Sequence, residues 1–163
     1  MTATAETGQD TPAEESSLWV KSFQGEVLGE AYFSRLAQLA ADVEQRAKLE
    51  ALAALERCTK EMLVPHLQRL GLSTEADQAI VEGVAAVDHY DWATMLSGLL
   101  PVVADYLACY SRLRQIVAEE DARAAELLIA HEMALELFAR RELAGDHASS
   151  LEPIRALPHF SLS

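Results

Sequence analysis

Apolar residues recur along this chain at the three- and four-residue spacing of amphipathic helices, and nowhere alternate over a stretch long enough to build a sheet. The first stripe passes through Val20, Phe23 and Val27, then Glu30 and Phe33, to about Ala40, with Ser16 or Ser17 as its cap. Between Glu30 and Gly71 there is no glycine and a single proline, Pro65, so the next boundary rests on capping and phase. Asp42 with Gln45 three residues later resembles a capping box and predicts a short turn around 41–43. A second helix is predicted over 43–70, bent at Pro65 and stopped by Gly71. Ser73 or Thr74 caps a short segment over 75–87 that reads as a crossover, and His89, Tyr90 and Asp91 follow as a hinge. The third long helix starts at about Asp91, and Trp92, Leu96, Leu99, Val103, Tyr106, Tyr110, Leu113 and Val117 form a regular seam that Pro101 should bend. A fourth, Ala-rich helix over 121–143 places Leu128, His131, Leu135 and Phe138 on one face before Gly145 ends it.

Residues 1–16 carry no apolar period and read as a disordered acidic tail; 17–145 form the helical bundle; 146–163, with Pro153 and Pro158, form a tail that packs through Leu151, Ile154 and Leu157. The chain has 163 residues, enough for one domain with its own core. Its net charge of −13 changes the choice of partners: nucleic acid and anionic membrane surfaces should be repelled. No apolar run approaches the ~20 residues of a membrane span, and residues after Met1 lack a secretion signal, so a cytoplasmic location is expected. Cys58 and Cys109 have no metal-type spacing and read as small apolar fillers.

Chemistry enters where polar residues occupy apolar positions. In the second helix Leu49, Leu52, Glu56, Thr59 and Leu63 share a seam, so a carboxylate interrupts an apolar stripe. In the first helix Glu30 sits on the face of Phe23, Val27 and Ala37, with Glu26 one turn earlier; in the fourth, His131 lies between Leu128 and Leu135, with Glu132 beside it. A buried ionised carboxylate without a partner costs several kcal/mol, so these groups must be paired, protonated or metal-bound. Carboxylates and an imidazole suit iron, manganese or zinc. The same residues could instead satisfy one another, or Tyr106, Tyr110 and Thr59, in a metal-free polar network.

The run Gly29-Glu30-Ala31-Tyr32-Phe33 with Leu36-Ala37, followed by Glu56 and then Ala130-His131-Glu132, resembles the ferritin-like superfamily, near its rubrerythrin-like and related small bacterial members. The resemblance implies an all-α, ferritin-like four-helix bundle with a short crossover helix between the second and third long helices, with an ordinary up-and-down bundle as the competing topology. It also implies carboxylates from the first and second helices, matched by Glu30 and Glu56, holding metal for dioxygen or peroxide chemistry. The chain departs from the pattern at Thr59 and Leu128, where the superfamily's Glu-x-x-His motifs need histidine and glutamate, and in the third helix, where Tyr106 and Tyr110 occupy the seam while Asp105 lies off it. The expected ligand set is Glu30, Glu56 and His131, with Glu26, Glu132 and Asp105 as extras, and iron or manganese as the cofactor. An iron-dependent oxidoreductase and a metal-free bundle acting in self-association or small-ligand binding are the two functional expectations. Aromatic residues on more than one side of the third long helix make a homodimer plausible in either case.

Overall fold

A computed structural model describes residues 11–160, and every regular element among them is helical. The helices are α1 (Thr11–Leu39), α2 (Val43–Arg69), α3 (Gln78–Ala85), α4 (Trp92–Ile116), α5 (Glu119–Leu143) and the single turn α6 (Glu152–Arg155). Asp42, Asp77 and Asp91 cap α2, α3 and α4 by accepting backbone N–H groups two or three residues on. Gly71 and Gly145 follow α2 and α5 in the left-handed region, at φ +68° and +82°, where a residue with a Cβ is strained. Pro65 and Pro101 both lie within continuous helices.

Three boundaries differ from the sequence reading. The first helix begins at Thr11 instead of near Ser17, so residues 11–16 are helical; the rest of the expected tail lies outside the described residues. Pro12 is tolerated in a first turn, and the polar residues that follow are tied down: Arg112 donates to both Glu14 oxygens at 2.7 and 2.8 Å, and Trp19 Nε1 donates to Glu15 at 3.2 Å. Apolar periodicity is blind to such a turn. The crossover helix is capped by Asp77, not by Ser73 or Thr74, and α5 starts two residues before Asp121.

The interior divides into two apolar halves, and that division fixes the topology. One half holds Phe33 and Leu36 of α1, Leu49 and Leu52 of α2, Leu96 and Val103 of α4, and Leu135 and Phe138 of α5. The other holds Trp19 and Phe23, Leu63 and Leu67, Tyr110 and Leu113, and Ala125 and Leu128 from the same four helices. Passing from the second half to the first, residue numbers rise along α1 and α5 and fall along α2 and α4. Consequently α2 and α4 run parallel, which requires the long connection 70–91 to travel back along the molecule. Its α3 packs on α1, and Gln24 of α1 bonds the backbone of Glu75 and Asp77 at 2.8 and 2.9 Å. In cross-section α1 packs on α2 and α4, and α5 on α4 and α2.

One further difference concerns α4. By length and composition this helix could span a bilayer, contrary to the sequence expectation that no segment approaches that length; most of it is exposed, and it carries Asp105 and Arg112.

Candidate metal centre

Between the two apolar halves lies a single polar layer, built from residues at matching heights on four helices. It contains Glu26 of α1, Glu56 and Thr59 of α2, Tyr106 of α4, and His131 and Glu132 of α5. Glu26, Glu56, His131 and Glu132 are 1%, 4%, 0% and 5% exposed, so all four are buried.

The α2 and α5 positions follow the predicted seams: Leu49, Leu52, Glu56, Thr59 and Leu63 are all buried, as are Leu128, His131, Leu135 and Phe138. Glu132 is also inside although it sits about 100° from His131 around the axis, because Ala124, Ala125, Ala134 and Ala139 widen the buried arc of α5. The α1 phase differs. Phe23, Val27, Phe33 and Ala37 are buried as expected, but the buried arc extends to Trp19, Ser22, Glu26 and Leu36, leaving Val20 exposed and Glu30 at the edge. Glu30 therefore does not join the cluster; it pairs with the Lys60 ammonium at the half-buried rim. Asp105 is exposed and also lies outside it. Gly29 takes the inward place, and a Cβ there would lie 2.5 Å from the Glu56 carboxylate, so the missing side chain is the space Glu56 fills.

His131 Nε2 faces three carboxylate oxygens: Glu56 Oε1 at 3.6 Å, Glu26 Oε2 at 3.7 Å and Glu132 Oε1 at 3.8 Å. None is a hydrogen bond, and both His131 Nε2 and Glu26 Oε2 are buried with no partner. One oxygen each of Glu26 and Glu132 and a nitrogen of His131 lie within 4.8 Å of one another, close enough to share an ion. Tyr110, fully buried, donates to Glu26 Oε1 at 3.2 Å, and its ring leans on Tyr106 at 5.7 Å.

Proton counting around Thr59 shows which nitrogen His131 offers. The Thr59 hydroxyl lies 3.0 Å from the Leu55 carbonyl, 2.8 Å from His131 Nδ1 and 2.9 Å from His159 Nε2. A hydroxyl has one hydrogen and two lone pairs, and a carbonyl can only accept. Thr59 therefore donates to Leu55, and both imidazoles donate to Thr59. With its proton on Nδ1, neutral His131 turns the Nε2 lone pair toward the carboxylates, the orientation a metal ligand needs. Thr59 thus fixes the orientation of the His131 ring.

His159, on the segment after α6, is a participant that sequence reasoning missed. Its Nδ1 is buried without a partner, and burial, with repulsion from His131 and Arg123, holds the ring's pKa down to about 4. Only the run Leu157-Pro158-His159-Phe160 hinted at it, through an apolar tail bearing an imidazole.

Among the described residues, the imidazole of His131 is the one group of the layer that can carry positive charge against its three carboxyls. Burial raises Glu56 and Glu132 to about 8; the neighbouring Glu26 carboxyl opposes the shift at Glu56, where the Glu132 and Glu30 charges add to it, and His131 opposes that at Glu132, where the Glu26 charge adds to it. Burial also pushes Glu26 well above the carboxylate range, reinforced by Glu56 and opposed by His131. No Lys or Arg forms an ion pair with Glu26, Glu56 or Glu132 among the described residues.

No family model matches this chain, and neither the curated proteins nor the solved structures contain a match to it.

Proposed function

We propose that the protein is a ferritin-like carboxylate metal protein that holds one divalent ion between Glu26, Glu56, His131 and Glu132. The observation that carries this reading is the unpartnered His131 Nε2, buried 3.6–3.8 Å from three carboxylate oxygens. Ligands about 2.0–2.2 Å from a common ion lie roughly 3.4 Å apart in a tetrahedral shell, so small side-chain movements would bring Glu26, His131 and Glu132 onto one centre, with Glu56, 3.6 Å from His131 Nε2, as the fourth ligand. Three carboxylates and one imidazole form a hard, oxygen-rich set that favours iron(II) or manganese over thiolate-seeking metals. A single imidazole, with Thr59 and Leu128 at the motif positions, argues for one ion where the superfamily holds two. The parallel α2 and α4, joined by the long crossover, support the ferritin-like assignment. Bound iron would supply dioxygen or peroxide chemistry, and an oxidoreductase is the enzymatic form of this reading.

Elemental analysis tests it. Protein purified without chelators, or reloaded with Fe2+ or Mn2+ under argon, should hold about one equivalent per chain. Glu26→Ala and His131→Ala should lower that below about a tenth, while Glu30→Ala should retain it, since Glu30 pairs with Lys60. Absence of uptake by the wild type, or full occupancy in Glu26→Ala, overturns the proposal.

A further inference from the structure

The metal layer is not sealed on all sides. A cleft of about 600 Å³ opens between α1 and α4 and descends to Glu56 and Glu132. Leu28 and Phe33 form one wall, Leu99 and Val102 the other, and Tyr106 lies near the floor. The volume falls within the ~300–1,000 Å³ range of small-molecule sites. By contrast, a groove of about 770 Å³ along α1 and α2 is lined by Arg46, Glu50 and Arg57 and reaches none of the buried acids.

Two glycines shape the cleft. Gly29 gives its side-chain space to Glu56, whereas a Cβ on Gly98 would meet nothing within 4 Å and would project into open space. At the mouth Leu28 and Val102 are 39% and 47% exposed, so the apolar lining continues to the surface, beside a polar edge of His89, Asp91 and Thr94. A concave apolar shaft ending on buried carboxyl groups suits a small molecule that inserts end first, with apolar contact along its length and a hydrogen bond at its tip.

Charge then selects the occupant. An anionic head would enter a chain of net charge −13 and stop against a floor of carboxyl groups. A cationic head would compete with the ion for the same carboxyl oxygens, and among the described residues the only other acid in the lining is the exposed Asp91. We infer that the cleft between α1 and α4 binds a neutral, largely apolar molecule with one hydroxyl or carbonyl end seated on the Glu56–Glu132 floor. This deepens the metal reading by placing the molecule's polar end beside the centre, but the walls that hold the apolar part do not depend on it.

The test is calorimetric titration of the full chain with 1-octanol, octanoate and octylamine, each against chelator-stripped and Mn2+-loaded protein. Octanol should bind saturably at one site, with octanoate and octylamine weaker by about tenfold or more. Gly98→Phe, which fills the shaft, should reduce octanol affinity by about tenfold without altering metal content. Val102→Trp, a change at the exposed mouth that the fold tolerates more readily, should act in the same direction. Equal octanol affinity in the wild type and both variants overturns the inference, as does preference for either charged probe. A dimer by sedimentation that excludes octanol until it dissociates also overturns it, by showing that a second copy covers the cleft. Metal uptake without octanol binding sinks the cleft alone; octanol binding without metal uptake sinks the metal centre and leaves the cleft.

Discussion

Two buried acidic clusters on the same scaffold solve the problem of charge in opposite ways. Near the start of α2, Lys48 is buried and its ammonium donates to Glu44 at 2.6 Å, to Glu142, and to the His147 carbonyl at 3.1 Å. Glu142 also accepts from Trp92 Nε1 at 3.3 Å and bonds His147 at 2.8 Å. Burial alone would raise the Glu142 pKa, yet the hydrogen bonds of Lys48, Ser150 and His147 and the Lys48 charge together outweigh it, and the carboxylate lies below its usual range. In the mid-bundle layer burial wins: Glu26, Glu56 and Glu132 are all raised, and Glu26 Oε2, His131 Nε2 and the adjoining His159 Nδ1 have no partner. The first cluster carries its own cation; the second is arranged as if the cation comes from outside. A merely structural polar layer would be expected to resemble the first.

pH should separate the clusters most strongly. An acid whose folded pKa is raised binds more protons in the native state, so its contribution to stability falls as pH rises above the unfolded value. For Glu56 and Glu132 that window runs from about 4.5 to about 8. Metal-free protein should therefore lose stability across it, on the order of 5 kcal/mol after allowing for coupling between the sites. Glu142 has the opposite sign: its lowered pKa contributes stability that is lost only as pH falls below the ordinary carboxylate range. Urea unfolding of chelator-stripped protein between pH 5 and 9 measures this, and saturating Mn2+ should flatten the decline. Stability of the stripped protein that stays constant or rises over that range would show that the acids are compensated from within.

Charge removal sharpens the same contrast. Lys48→Met strands Glu142 in the interior and should destabilise the protein by about 3–5 kcal/mol. Glu56→Gln removes a carboxylate that no cation balances, so the metal-free variant should be more stable than the metal-free wild type at pH 8, by about 1–3 kcal/mol. Paired melts of both variants read the two signs; destabilisation by Glu56→Gln in stripped protein would contradict the proposed imbalance.

What the sequence revealed depended on how continuous each stripe is. The α2 seam is unambiguous because Leu49, Leu52, Leu63 and Leu67 bracket Glu56 and Thr59 on both sides. On α1 the apolar residues flank the polar layer unevenly, and Val20, which is exposed, drew the phase toward Glu30. Phe23, Val27 and Ala37 are buried as the stripe predicted and Trp19 marks the neighbouring line, but Ser22 and Gly29, which carry that line past Glu26, give no hydrophobic signal. The roles of Glu26 and Gly29 follow only once α2 is packed against α1. His159 was illegible for a different reason: its contact with Thr59 spans 100 positions and depends on how the C-terminal tail returns, which no local pattern encodes.

The smallest expected effect on stability is also the most specific. Thr59→Val keeps the shape of the side chain and deletes the acceptor that both imidazoles use, a loss of about 1–2 kcal/mol in stability. Its consequence for His131 should be larger than its consequence for the fold. Without the hydroxyl, neutral His131 has no reason to keep its proton on Nδ1, while the carboxylates near Nε2 favour a proton there. Nitrogen-15 spectra of stripped protein, recorded where the ring is neutral, should show Nδ1–H in the wild type and in Thr59→Ser, and Nε2–H in Thr59→Val. Metal affinity should fall about 10–100-fold in Thr59→Val and survive in Thr59→Ser, as expected for loss of a partner that orients a ligand. Because the tautomer is read without metal, an Nε2–H signal in the wild type would refute the Thr59 relay even if an ion binds. An unchanged Nδ1–H signal in Thr59→Val would show that packing against α2, and not the hydroxyl, sets the ring.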